Sequence, residues 1–261
     1  DNSPLIKASA KGNFQIVRKL IQNHADVNKK DKDTGSTASL FACHQGQEDV
    51  VDALLDAKAD LNVCDKEDNS PLIKASAKGH FQIVRKLIQQ HTDVNKKGKG
   101  GCIVLWFACG NGKEDVVDVL LSANADPNVC DKKDESPLMI ASQNGHVQIV
   151  RKLLDKISDI NKKNGNLEWT ALYSACRFGR KDVVDVLLDA KADPNICDSY
   201  GVSSLIIASR WGHSQIVQKL LENNADISKT VGRKNETALS IARKKKHDEV
   251  VAILENFNAK K

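Results

Sequence analysis

Residues 70–89 read SPLIKASAKGHFQIVRKLIQ. Ser70 can accept a hydrogen bond from the free N–H groups of a helix start, and Pro71, which has no N–H, suits the first helical position. Leu72 and Ala75 share one face of the short helix that follows. Gly79 supplies the left-handed backbone that ends it. A second helix then carries Ile83, Val84, Leu87 and Ile88, an i, i+1, i+4, i+5 stripe that must bury against something. Two helices this short cannot enclose a core, so a neighbour has to cover them.

The chain supplies that neighbour by repeating itself. Residues 4–22 and 71–89 agree at 18 of 19 positions. The central alanine recurs as Ala8, Ala42, Ala75, Ala108, Ala141, Ala175, Ala208 and Ala242, in steps of 34, 33, 33, 33, 34, 33 and 34 residues. Such a period, with two short helices and a turn, predicts a helical solenoid. Each unit of a solenoid touches its neighbours, and the core is one continuous slab.

The motifs within the period resemble those of a known family. SPLIKA (70–75), SPLMIA (136–141), TALYSA (170–175) and TALSIA (237–242) look like the ankyrin consensus T-P-L-H-x-A. So do the Gly79-His80, Gly145-His146 and Gly212-His213 steps and the ADVN, ADLN and ADPN turns. The resemblance covers essentially all 261 residues. It implies an all-α ankyrin-repeat solenoid with β-hairpin fingers, a single domain over 1–261. Its units run over about 1–30, 31–64, 65–97, 98–130, 131–163, 164–197, 198–230 and 231–261, the last a C-terminal cap. It also implies a protein-binding scaffold rather than an enzyme, because this fold serves mainly as an interaction surface.

Composition bounds the rest. Apolar content of 41% with 4% aromatic fits a core of Leu, Ile, Val and Ala, and the net charge of +5 is modest. Six of the seven cysteines are periodic: Cys64, Cys130 and Cys197 precede an Asp in a turn, and Cys43, Cys109 and Cys176 follow the central Ala. Equivalent positions two units apart lie about 20 Å apart at roughly 10 Å per helix layer. That is too far for a disulfide or a shared zinc ion. Reduced thiols point to the cytoplasm, or the nucleus. No run of 18 apolar residues that could span a bilayer occurs.

The ends and the turns differ from the middle. No polar starting unit precedes Leu5, which reads as a piece cut from a longer solenoid. Lys246 stands where earlier units place Gly, and Glu255 where they place Ile or Leu, as suits a cap facing water. Arg-Lys or Gln-Lys pairs in odd second helices alternate with Asp52, Asp118 and Asp185 in even ones, giving a deeper period of 66–67 residues. The turns at 29–36, 96–102, 162–169 and 228–236 are longer, Gly-containing and mostly basic. In the fourth unit Ile103-Val104 replaces Thr-Pro and Trp106 replaces the customary His, so that unit should start weakly.

No catalytic constellation, metal set or cofactor motif emerges. His80, His146, His213 and His247 open second helices, where ankyrins use such a residue to bond backbone. Asp26, Asp60, Asp93, Asp126, Asp159, Asp193 and Asp226 recur once per unit and read as turn-formers. What stands out is aromatic: Trp169, Tyr173, Phe178, Tyr200 and Trp211 are five of the chain's eleven aromatic residues. By the family pattern Trp169 and Tyr200 fall on fingers, and Arg177-Phe178 and Arg210-Trp211 end first helices beside a concave groove. Trp, Tyr and Arg are enriched at interface hot spots. Trp169, Tyr173, Arg177, Phe178, Tyr200, Arg210 and Trp211 are therefore the candidate partner-binding residues. Lys11, Lys78, Arg177, Arg210, Lys244 and Lys245 make the lane positive, so the expected ligand of the monomeric chain is an acidic protein segment or peptide. Single-stranded nucleic acid, held by phosphate contact and stacking, is the alternative.

Overall fold

In a computed structural model, which describes residues 3–165 and 167–259, each central alanine lies in the first of two consecutive short helices. Asp1, Asn2, Asn166 of the 162–169 turn, Lys260 and Lys261 fall outside the described residues. Two compact units are present, one up to Lys132 and one from Lys133.

The first unit holds α1 (Pro4–Ala10), α2 (Phe14–Gln22), α3 (Ala38–Gln45), α4 (Glu48–Asp56), α5 (Pro71–Lys78), α6 (Phe81–Gln89), α7 (Val104–Gly110) and α8 (Glu114–Ser122). The second holds α9 (Pro137–Asn144), α10 (Val147–Leu154), α11 (Ala171–Arg177), α12 (Lys181–Asp189), α13 (Ser204–Trp211), α14 (Ser214–Glu222), α15 (Ala238–Lys245) and α16 (Asp248–Asn258). Within each unit, first helices pack in one layer (α1, α3, α5, α7; α9, α11, α13, α15) and second helices in another.

Local chemistry sets the helix bounds. Ser70 Oγ accepts the Ile73 N–H at 3.3 Å. Ser3, Thr37, Ser136, Thr170, Ser203 and Thr237 cap their first helices in the same way. Helix α7 has no such bond, because Ile103 stands at the cap and is buried instead. A lost cap of this kind costs about 1 kcal/mol. Gly79 ends α5 at φ 86°, and Lys246 takes φ 60° at the matching place in the last pair.

Side chains link successive helix pairs. His80 Nε2 donates to the His44 carbonyl at 3.1 Å, and His247 Nε2 to that of Arg210 at 3.1 Å. Asn28 Oδ1 accepts the Asp60 N–H at 2.8 Å, and Asn195 Oδ1 the Asp226 N–H at 2.8 Å. On the second-helix face Lys86 pairs with Asp52 at 2.7 Å, which joins a basic helix to an acidic one. One finger forms the expected antiparallel hairpin. Strand pairing is confined, among the described residues, to β1 (Thr230–Val231) with β2 (Glu236–Thr237) and one bridge, Cys197 to Ser203. Other fingers close on backbone bonds outside any strand, as from Asp31 N–H to the Ser36 carbonyl at 2.9 Å.

The near-identical stretches meet different surroundings. Helices α2 and α6 share the sequence FQIVRKLIQ. Helix α6 lies between α4 and α8 and buries Ile83, Val84 and Leu87. Helix α2 packs on α4 and buries Val17 alone, leaving Ile16 51% exposed. Amide exchange in the 261-residue chain should accordingly be faster over 14–22 than over 81–89, since opening α2 exposes less new apolar surface. Equal protection, read peptide by peptide in hydrogen–deuterium exchange, would show that the extra neighbour does not matter.

Candidate partner-binding site

Helix α11 starts where the Thr170 side chain accepts the Tyr173 N–H at 3.1 Å. Its seven residues place Tyr173 and Arg177 four positions apart, hence one above the other on the same face. Trp169 immediately precedes the cap. It is held by its own finger: its N–H donates to Asn164 Oδ1 at 2.7 Å, and the Asn164 N–H donates to its carbonyl at 2.9 Å. The result is a stack. The Trp169 and Tyr173 rings lie 5.3 Å apart at an interplanar angle of 30°.

Arg177 completes it. Its guanidinium carbon sits 4.9 Å from the Trp169 ring centre, 5.7 Å from that of Trp211 and 5.9 Å from that of Phe178. Trp211 comes from the end of α13, which packs on α11. Three residues spread over 42 positions of sequence thus converge on one cation. Trp211 is 52% exposed and Phe178 40%, so the cluster is open to solvent on their side. Among the described residues no carboxylate lies within ion-pair distance of Arg177 or of Arg210.

Tyr173 itself is buried and serves as the floor of the site rather than as a contact. Its phenol donates to Asp198 Oδ2 at 2.9 Å. Burial, that bond and the Asp198 charge push the phenol above its ordinary range, so it remains a neutral donor. Asp198 is buried too, and its other oxygen accepts the Tyr200 and Val202 N–H groups, both at 2.9 Å. Tyr173 therefore anchors the finger that carries Tyr200, 72% exposed. Tyr173→Phe would leave a buried carboxylate oxygen without its donor, at a cost of about 1–2 kcal/mol. Urea unfolding should register that loss, with faster exchange at the Val202 amide. Unchanged exchange there would mean that the finger is set without Tyr173.

The structure thus brings Trp169, Tyr173, Arg177, Phe178 and Trp211 into one cluster, and places Tyr200 on the neighbouring finger. Arg210 lies within electrostatic reach of Tyr173 and of Glu236. Sequence reasoning missed Leu167, 38% exposed on the 162–169 turn, whose carbonyl accepts the Ser199 N–H at 3.1 Å. An apolar residue in an otherwise polar turn was the available signal. It also missed Asp198, because nothing in sequence links it to Tyr173.

The remaining candidates carry no comparable chemistry. Cys43, Cys109 and Cys176 are buried, and burial pushes the Cys43 thiol up to about 12, so these thiols stay protonated and inert. Among the described residues no group of His, Cys, Asp and Glu is arranged to hold a metal ion. No described helix is long and apolar enough to cross a membrane.

The family model for ankyrin repeats matches residues 5–98, 105–198, 158–231 and 190–261. Alpha-latrocrustotoxin-Lt1a of Latrodectus tredecimguttatus is 37% identical over 98 residues, which are 37% of this chain and 7% of that protein. The ankyrin repeat and KH domain-containing protein mask-1 of Caenorhabditis elegans is 32% identical over 107 residues, 40% of this chain and 4% of that protein. This chain therefore spans a small part of the curated relatives it matches. Among solved structures, the human ASB11 ankyrin repeat domain superposes with a TM-score of 0.76 at 24% identity, covering 86% of this chain and 99% of that one. That last likeness is one of fold.

Proposed function

The chain belongs to the ankyrin-repeat family, whose repeats are generally protein–protein interaction modules, and from that premise we propose that it is a non-enzymatic scaffold holding an acidic segment of a partner protein. The segment binds on the face built by Trp169, Arg177, Arg210 and Trp211. One observation carries the reading: Arg177 is surrounded by three rings and has no carboxylate of its own among the described residues. Rings over the faces of a guanidinium favour the cation while its N–H edges stay available in plane. Those edges suit a bidentate bond to a carboxylate. Because Trp169 is held by Asn164 and Tyr173 by Asp198, little of the receptor has to be ordered on binding.

Capture from a nuclease-treated cytosolic and nuclear lysate tests this. Proteins retained by the wild-type chain should be absent when Arg177→Ala and Trp211→Ala are combined. Recovery that disappears with nuclease treatment would replace the protein reading with the nucleic-acid one. Equal recovery on the double variant would remove the site.

A further inference from the structure

The charge of this chain is concentrated. Residues 229–246 carry seven basic residues (Lys229, Arg233, Lys234 and Arg243 to Lys246) against one acid, Glu236; their balance of +6 exceeds the +5 of the whole chain, so everything else sums to −1. The fold brings part of this run to the partner face. Pairing of Val231 with Glu236 closes the hairpin and leaves Arg233 and Lys234 exposed on its turn. Lys244 lies in the last turn of α15, 65% exposed, with its Nζ 3.0 Å from Glu236 Oε1. Helix α15 packs on α13, and the bond from His247 to the Arg210 carbonyl ties their ends together. Arg243 is taken by Glu255 at 2.6 Å.

Glu236 is thus the one acid within this basic stretch of sequence. Lys244 foremost, then Lys234 and Arg210, hold its carboxyl below the usual range. Arg210 and Trp211 end α13, and Lys244 lies in the last turn of α15, which packs on α13.

We propose that Glu236 is a built-in competitor: its carboxylate pairs with Lys244 at the cationic end of the partner face in the free protein, and an acidic partner segment displaces it from that lysine. The inference rests on the function proposed above and extends it. The partner segment carries a run of carboxylates beyond the residue that meets Arg177. Residues 229–246 contain no aromatic side chain, so this end offers no stacking platform for bases. The group already seated there is itself a carboxylate. An acidic peptide is the occupant that this chemistry fits.

The test uses the whole chain, a fluorescent oligoglutamate peptide and a fluorescent oligothymidylate, compared by anisotropy at low salt. Glu236→Gln keeps shape and removes the charge, and circular dichroism checks that helix content is retained. It should tighten oligoglutamate binding about fivefold, the upper range for one exposed ion pair. Lys234→Ala should weaken binding, and raising the salt should erase both differences. Unchanged affinity in Glu236→Gln overturns the competitor, even if Arg177→Ala with Trp211→Ala still loses the peptide. If that double variant binds oligoglutamate like wild type while Glu236→Gln still tightens it, the ring site is the part that fails. A gain for oligothymidylate equal to that for oligoglutamate overturns the acidic-peptide assignment.

Discussion

Arg177→Ala combined with Trp211→Ala is expected to abolish partner capture while helical content stays at the wild-type level. Trp211 is 52% exposed, so truncating it opens no core cavity. Arg177 ends α11, where its loss removes the charge at the centre of three rings but no helix cap. A hot-spot truncation typically costs at least ~2 kcal/mol, about thirtyfold in affinity. Lys11→Ala with Lys78→Ala provides the contrast. Both lysines are exposed and act through screened charge, so the pair should weaken capture mildly and chiefly at low salt. Quantified capture at two salt concentrations reads both variants. Should the lysine pair be the more damaging, the chain reads charge along its length and the rings are packing. The extended acidic or nucleic-acid ligand would then move ahead.

Ile83→Ala and Ile16→Ala make the second contrast, one substitution in two copies of the same nine residues. Ile83 is fully buried between layers, whereas Ile16 is 51% exposed. Deleting a buried isoleucine to alanine costs about 2–5 kcal/mol in lost transfer energy and cavity, so about 3 kcal/mol is expected at Ile83. At Ile16 half the side chain already faces water, and under about 1 kcal/mol is expected. Urea unfolding followed by circular dichroism measures the two losses. Because a solenoid can unfold in parts, exchange over 81–89 and 14–22 should be read beside it. Equal losses would mean that the helix's own amphipathicity, and not its neighbours, decides stability.

Much of the architecture was legible because solenoid structure is local. A Ser or Thr at the cap, Pro after it, apolar residues at helical spacing and a glycine at the end each act within one or two turns of chain. Their recurrence every 33 or 34 residues then dictates the stacking. The same locality gave the weak start of α7, since Ile103 carries no oxygen to accept a bond. The site was half legible. Arg177, Phe178 and Trp211 could be placed beside one another by register alone. Tyr173 could not be separated from its exposed neighbours, because its burial and its bond to Asp198, twenty-five residues away, arise only in the folded chain.

What the sequence determined by itself, then, is the helix pair, its period and the residues each unit offers to its neighbours. The tertiary structure alone decided what became of those offers. FQIVRKLIQ reads identically in α2 and α6, yet Ile83 is fully covered and Ile16 is half in water, because coverage is a property of what packs alongside. Likewise Glu236, Lys234, Lys244 and Arg210 are ordinary charges in the chain. In the fold Lys244 pairs with Glu236, and Lys234 and Arg210 come within its electrostatic reach, since Coulomb interaction follows distance in space and not separation in sequence.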